Sequence, residues 1–191
     1  METVSLVTQQ GTITLEINTE AAPVSASHFL KYVDGGHLDG AQFYRVVRPS
    51  NDASPSPIEV VQGGLMGDVY GRVDWEELDN LALPFQPIAH EYNDETGLLN
   101  LRGTIAWARN EPGTSNSEFF INVIDNSALD TGSTLRNPDA AGYAVFGRVR
   151  EGMDVVETIQ SGSTAEPKLI SDMQRQVLDA TVVIQRAERL N

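Results

Sequence analysis

The plainest pattern in this chain is apolar and polar positions alternating with period two. Ile13, Leu15 and Ile17 are separated by polar residues, and the apolar stretch 4–7 precedes them across Gln9, Gln10 and Gly11. This predicts two strands, 4–7 and 12–17, joined by a tight turn. Pro23 suits the first turn of a helix that carries Phe29, Leu30, Tyr32 and Val33, with Gly35 and Gly36 as its stop. Residues 43–47 and Val60-Val61 predict strands. Between them, the stretch 48–59 holds Pro49, Pro55 and Pro57 and predicts a surface loop. Residues 65–99 are irregular and acidic, with Pro84 and Pro87, and predict loops with little regular structure. Strands are expected at 104–108 and 118–123, flanking a polar turn at 110–116, and again at 143–149. Met153, Val156 and Ile159 then fall at helical spacing before Gly162, and a last strand is expected at 181–184. Many strands with two short helices argue a mainly β fold, an antiparallel sheet closed into a barrel or sandwich with the helices covering its ends. There is no internal repeat and no low-complexity run.

Composition narrows the possible partners. The chain has 191 residues, 40% of them hydrophobic, which predicts one domain over residues 1–191 with one sizeable core. Its net charge of -14, from 13 basic against 27 acidic residues, repels phosphate backbones and anionic lipid. Nucleic acid and membrane surfaces are therefore not expected as partners. Cysteine is absent, which excludes disulfides, thiol catalysis and thiolate metal sites. No apolar run is long enough to span a bilayer, and the first ten residues lack the pattern of an export signal. The expectation is a soluble monomer, cytoplasmic as given, or periplasmic if a signal peptide has been removed.

Three local features carry candidate chemistry. Arg45 interrupts Phe43-Tyr44-Arg45-Val46-Val47, where both alternating faces are otherwise apolar. Either it is a functional cation, or it sits on an edge strand, its stem covering apolar surface while its head reaches water. Val60-Val61 runs into Gln62-Gly63-Gly64, an amide followed by two glycines that permit positive φ or close approach of another chain. In Ser117-Glu118-Phe119-Phe120-Ile121-Asn122, adjacent aromatics must face opposite sides of a strand. One can serve the core while the other lines a surface pocket. Asn122 reads as structural.

Taken in order, these segments resemble the cyclophilin family. Residues 43–47 are similar to its FHRVI strand, Gln62-Gly63-Gly64 to its QGG, and Ser117-Glu118-Phe119-Phe120-Ile121 to its SQFFI. The likeness continues through Gly11-Thr12-Ile13, Ala22-Pro23-Val24 with Phe29, Gly103-Thr104-Ile105 with Ala108, Leu129-Asp130, and Val145-Phe146-Gly147-Arg148-Val149. The resemblance implies a closed eight-stranded antiparallel barrel capped by two helices, with a substrate groove on its outer wall. It implies a peptidyl-prolyl cis-trans isomerase acting on proline-containing peptides and on unfolded or folding proteins, with no cofactor and no metal. On that reading Arg45 is the catalytic arginine, Gln62 orients the peptide backbone, and Phe120 floors the proline pocket. Tyr44, Glu59, Val60, Ala108, Arg109, Glu118, Leu129 and Tyr143 complete the groove, with the main chain at Arg109 holding the residue before proline.

The sequence departs from the family pattern at four places. Tyr44 replaces the histidine beside the arginine. Glu59-Val60 replaces a Phe-Met pair and brings a carboxylate to the expected pocket wall. Ala128 stands where relatives carry a tryptophan, which implies weak binding of cyclosporin A. Tyr143 stands where they carry a histidine. The third departure, Ala128 at the tryptophan position, looks bacterial, as does the inserted stretch 48–59. The rival reading is a non-catalytic proline-peptide binding or holdase module on the same barrel. His28, His37 and His90 show no metalloprotease or hydrolase spacing, and Gly63, Gly64 and Gly67 lack the lysine of a phosphate loop. The acidic stretch 74–79 reads as a solvated loop.

Overall fold

The computed structural model describes residues 1–68, 82–164 and 175–190. Eight strands close into a barrel: β1 (Glu2–Thr8), β2 (Gly11–Ile17), β3 (Gln42–Val47), β4 (Val60–Gly64), β5 (Thr104–Trp107), β6 (Phe119–Asn122), β7 (Val145–Glu151) and β8 (Val177–Leu190). Their order around the wall is β1-β2-β7-β5-β6-β4-β3-β8, and every pairing is antiparallel. Closure leaves no edge strand, so the barrel-or-sandwich choice resolves to the barrel. The acidic stretch 74–79 lies outside the described residues.

The period-two pattern explains the filling of this barrel. Ile13, Leu15 and Ile17 point inward and are fully buried, as are Val4 and Leu6 across the hairpin. Helix α1 (Pro23–Asp34) and helix α3 (Met153–Gln160) add Phe29, Leu30, Val156 and Ile159 to the same cluster. Aromatic rings fill the centre: Phe29 meets Phe119 edge-on at 5.6 Å, and Trp107 stacks on Phe146 at 5.0 Å. The interior is packed with side chains, so a peptide site has to lie on the outer wall.

Two elements differ from expectation. Strand β8 has 14 residues where only 181–184 was expected, because it pairs with β3 near Val177 and with β1 out to Leu190. Its second half reads as polar in sequence, since Gln185, Arg186, Glu188 and Arg189 surround a single buried Ala187. A single-turn helix α2 (Asn93–Thr96) stands in the stretch expected to be loop. Gly97 ends it in the left-handed region at φ 71°, a common helix stop.

The inserted stretch 48–59 is pinned rather than loose. Asp52 accepts hydrogen bonds from the N–H of Ser54 (3.1 Å) and Ile58 (3.0 Å), and Arg136 Nη1 donates to it at 2.8 Å and to the Ser56 carbonyl at 3.2 Å. Burial acts to raise the Asp52 pKa, but the bonds from Ile58, Arg136 and Ser54 outweigh it and hold the carboxyl below its usual range. At the other end, Arg48 donates to the carbonyls of Gln160 and Gly162.

Candidate active site

Strand β6 separates two apolar clusters. Phe119 faces the barrel interior, against Phe29 and Phe43, while Phe120 faces outward among Val47, Ile58, Val60, Ala106, Leu129 and Val145. The outer cluster forms the floor of a surface cavity of about 440 Å³, whose polar rim includes Arg45, Gln62, Arg109 and Glu118. Tyr143 meets Phe120 edge-on at 5.4 Å and forms an aromatic side wall.

A bulge in β3 accounts for the arginine that interrupted the strand pattern. Phe43 pairs with Gly63 and Arg45 with the next residue, Gln62, so Tyr44 is the extra residue of the bulge. Strict alternation would turn Arg45 toward the interior beside Phe43. The extra residue reverses the facing, so that Phe43 and Val46 belong to the core while Arg45 and Val47 face out. The edge-strand alternative fails, because β3 lies between β4 and β8.

Two amide oxygens hold the Arg45 guanidinium. Gln62 Oε1 accepts from Nη1 at 2.7 Å, and Gln176 Oε1 accepts from Nε at 3.0 Å and Nη2 at 2.7 Å. Of the five N–H groups, the bonds among described residues commit three and leave two for a ligand. Behind Gln62 runs a buried chain: Gln62 Nε2 donates to the Tyr44 hydroxyl at 2.7 Å, and that hydroxyl donates to Glu118 Oε2 at 2.6 Å. Glu118 Oε1 accepts from Ser117 Oγ (2.9 Å) and the Met66 N–H (3.1 Å). Burial pushes the Glu118 pKa up to about 7 against the opposing pull of these bonds and one from the Leu65 N–H. Gly64, at φ 153°, explains the second glycine of the Gln-Gly-Gly motif: a Cβ there would collide with Glu118 Oε1 and the Ser117 carbonyl.

Arg109 reaches the site through its main chain. Its side chain is fully buried, paired with Asp139 at 2.7 and 3.0 Å, bonded to the Gly142 carbonyl at 2.8 Å, and set against the Tyr143 ring at 4.9 Å. What the residue exposes is therefore backbone. The Arg109 bonds, with help from the Ala141 N–H, hold the Asp139 pKa down at about 2.

The structure brings Arg45, Gln62, Phe120, Val60, Ala108, Arg109, Glu118, Leu129 and Tyr143 to one cavity. Two expected groove residues lie elsewhere. Tyr44 is fully buried under the wall, because the bulge turns its hydroxyl toward Glu118, and it cannot touch a peptide. Glu59 faces away: Ile58 and Val60, two residues apart, both face the cavity, while the Glu59 carboxylate accepts from Gln160 Nε2 at 3.0 Å. Ile58 thus fills the place that the motif comparison gave to Glu59. Sequence reasoning missed Gln176, Ser54, Ile58 and Arg136. Only Ile58 carried a signal, as an apolar residue one alternation step before Val60.

The remaining candidates serve the fold. His28 packs among Tyr32, Phe85 and Trp107 and donates from Nε2 to the Asn116 carbonyl at 2.9 Å, and His90 donates to the Ala141 carbonyl at 3.0 Å. Burial holds both pKa values below the ordinary histidine range. Asn122 is fully buried, donating to Asn100 and Thr104 and accepting from Asn126. Among the described residues, no group of three His, Asp or Glu side chains could hold a metal ion, and no helix is long and apolar enough to cross a membrane.

Comparison with known proteins bears on this geometry. The family model for cyclophilin type peptidyl-prolyl cis-trans isomerases matches residues 3–189. A peptidyl-prolyl cis-trans isomerase of Streptomyces antibioticus is 38% identical over 191 residues, covering 100% of this chain and 99% of its own. Peptidyl-prolyl cis-trans isomerase B of Escherichia coli is 31% identical over 175 residues, covering 91% of this chain and 93% of its own. Among solved structures, a Cryptosporidium parvum cyclophilin type isomerase, crystallised in the presence of the dipeptide Ala-Pro, superposes with a TM-score of 0.67 at 16% identity. It covers 100% of this chain and 99% of its own.

Proposed function

Because this chain belongs to the cyclophilin-type peptidyl-prolyl cis-trans isomerases, we propose that it accelerates rotation about X-Pro bonds in peptides and folding proteins, with Arg45 as the group that stabilises the transition state. The barrier to rotation, roughly 18 to 20 kcal/mol for an ordinary peptide bond, rests on delocalisation of the nitrogen lone pair. In the twisted state the prolyl nitrogen becomes pyramidal and regains that lone pair, which a guanidinium N–H can bond. Neither planar ground state offers it, so the interaction lowers the barrier and not only the energy of binding. Phe120 and its apolar neighbours seat the proline ring, Gln62 meets the peptide main chain, and the exposed backbone at Arg109 takes the residue before proline. No covalent intermediate is required.

The observation that carries this reading is the fixed guanidinium, clamped by Gln62 and Gln176, on the same cavity as the Phe120 floor. A module that only bound proline peptides would need the floor but not an immobilised cation. Exchange NMR on an Ala-Pro peptide tests the point. Arg45→Ala should lose about 10² to 10³ in rate, the usual effect of one lost electrostatic stabiliser, while keeping native dispersion. Near-normal turnover in that folded variant would show that Arg45 does not stabilise the transition state, whereas no turnover by the unmodified protein would leave binding as the function. We also propose that cyclosporin A binds weakly, since Ala128 takes no part in lining the cavity.

A further inference from the structure

We propose that Tyr44 and Glu118 are positioning residues for Arg45, acting through Gln62, so that an ionised Glu118 fixes which end of the Gln62 amide faces the guanidinium. The inference rests on the reading of Arg45 as the catalytic group. It follows from counting donors along the buried chain. A Glu118 carboxylate can only accept, so the Tyr44 hydroxyl spends its single proton on Oε2. The Tyr44 oxygen is then left as an acceptor and takes an N–H from Gln62 Nε2. With its nitrogen so committed, Gln62 must turn Oε1 toward Arg45 Nη1, where it lies at 2.7 Å. Each bond dictates the direction of the next.

Protonation of Glu118 reverses the order. The backbone N–H of Met66 and the hydroxyl of Ser117 already donate to Oε1, so an added proton goes to Oε2, the oxygen that faces Tyr44. The carboxyl then donates to Tyr44, and the tyrosine proton turns toward Gln62. To accept it, Gln62 must present Oε1 to Tyr44 and its NH₂ to Arg45. Two donors then meet, and the guanidinium loses one of its two anchors.

Among the described residues, the groups facing Glu118 from the surrounding elements are few. They are the Tyr44 hydroxyl from β3, the N–H groups of Leu65 and Met66 from the 3-10 turn after β4, Ser117 beside it, and Tyr32 from α1, whose pKa is raised first by burial and then by the Glu118 charge. Among the described residues, Arg45 is the cation that this chain of hydrogen bonds links to Glu118, one amide beyond Tyr44. On the cavity rim, Arg109 is already paired with Asp139. Burial of the carboxyl brings its ionisation into the neutral range, where the reversal becomes measurable.

The test is the pH profile of isomerisation of an uncharged Ala-Pro peptide from pH 5 to 9, by exchange NMR, for the unmodified protein, Glu118→Gln and Tyr44→Phe. The unmodified protein should gain activity through one ionisation near neutrality, rising about 10- to 100-fold as the charge-linked chain forms. Glu118→Gln must keep its carbonyl toward the Met66 N–H and so presents NH₂ to Tyr44; it should be slow at every pH. Tyr44→Phe keeps the ring but breaks the chain and should be about tenfold slower, with an unchanged KM and no acid limb. A flat profile in the unmodified protein, or an acid limb that survives in either variant, would overturn the proposal. If the unmodified protein turned over no peptide at any pH, the proposed function itself would fail, and this inference with it.

Discussion

Gln176 Oε1 accepts hydrogen bonds from both Nε and Nη2 of Arg45, across 131 positions of sequence. It does so from the last residue before β8, where its main-chain carbonyl also receives the Val46 N–H and its own NH₂ donates to the Asn51 carbonyl at 3.1 Å. The guanidinium is therefore held from two sides by neutral acceptors. Neither neutralises its charge, and on the proposed mechanism the full cation is what meets the developing lone pair.

The first prediction follows. Gln176→Ala frees one side of the Arg45 head and should lower kcat about tenfold, the equivalent of roughly 1.4 kcal/mol of lost transition-state stabilisation. KM should change little, because Gln176 does not line the cavity. Unchanged kcat in the folded variant would mean that Gln62 alone fixes the arginine.

How far the site was legible from sequence depends on the range of each contact. The hairpin of Ile13, Leu15 and Ile17, the helix that starts at Pro23, and the opposite facing of Phe119 and Phe120 all follow from local periodicity, and the structure has them in place. The β3 bulge was visible only as an anomaly, a charge in an apolar run. That Tyr44 is the extra residue needs the pairing with β4 to be known. Glu59 was misplaced because a motif comparison gives column positions, whereas the facing of Ile58 and Val60 is set by the pleat and by the Asp52 bond to the Ile58 N–H. Gln176 and the Arg136 to Asp52 pair join segments 131 and 84 residues apart, and nothing local marks their ends.

The second prediction concerns stability. Folded Glu118 keeps its proton until about pH 7, whereas an unfolded glutamate releases it near 4.5. Between these values the unfolded chain binds fewer protons, so stability falls as pH rises, by up to about 3 kcal/mol in all. His28 and His90 act in the opposite sense. They are held neutral in the fold, so stability falls as pH drops below the free histidine value of 6.5. Urea unfolding of the unmodified protein and of Glu118→Gln at pH 5, 6, 7 and 8 separates the two, because the histidines contribute equally to both. The difference should favour the glutamine variant increasingly up to about pH 7 and then level off. A difference that stayed constant with pH would show that Glu118 ionises as freely in the fold as outside it.

The third prediction takes up Ala128. In relatives that bind cyclosporin A tightly, a tryptophan at this position donates a hydrogen bond to the ligand and covers it. Here the residue is a methyl group, 9% exposed, in the 3-10 turn Ser127–Leu129; Leu129 lines the cavity and Ala128 does not. The missing hydrogen bond is worth roughly 0.5 to 1.5 kcal/mol net, and the lost ring contact about 1 to 3 kcal/mol more. Together they correspond to roughly 10- to 1,000-fold weaker binding than in such relatives. Peptide turnover should be unaffected, since the hydrogen bonds of Arg45 and Gln62 and the packing of Phe120 do not involve Ala128. Calorimetric titration with cyclosporin A decides it, and low-nanomolar affinity in the unmodified protein would show that another side chain supplies the missing cover. Ala128→Trp is the converse measurement. The turn holds Ala128 at the edge of the cavity through Leu129, so an indole there should raise affinity at least tenfold if it can swing over the ligand. No gain would mean that the turn directs the 128 side chain away from the groove.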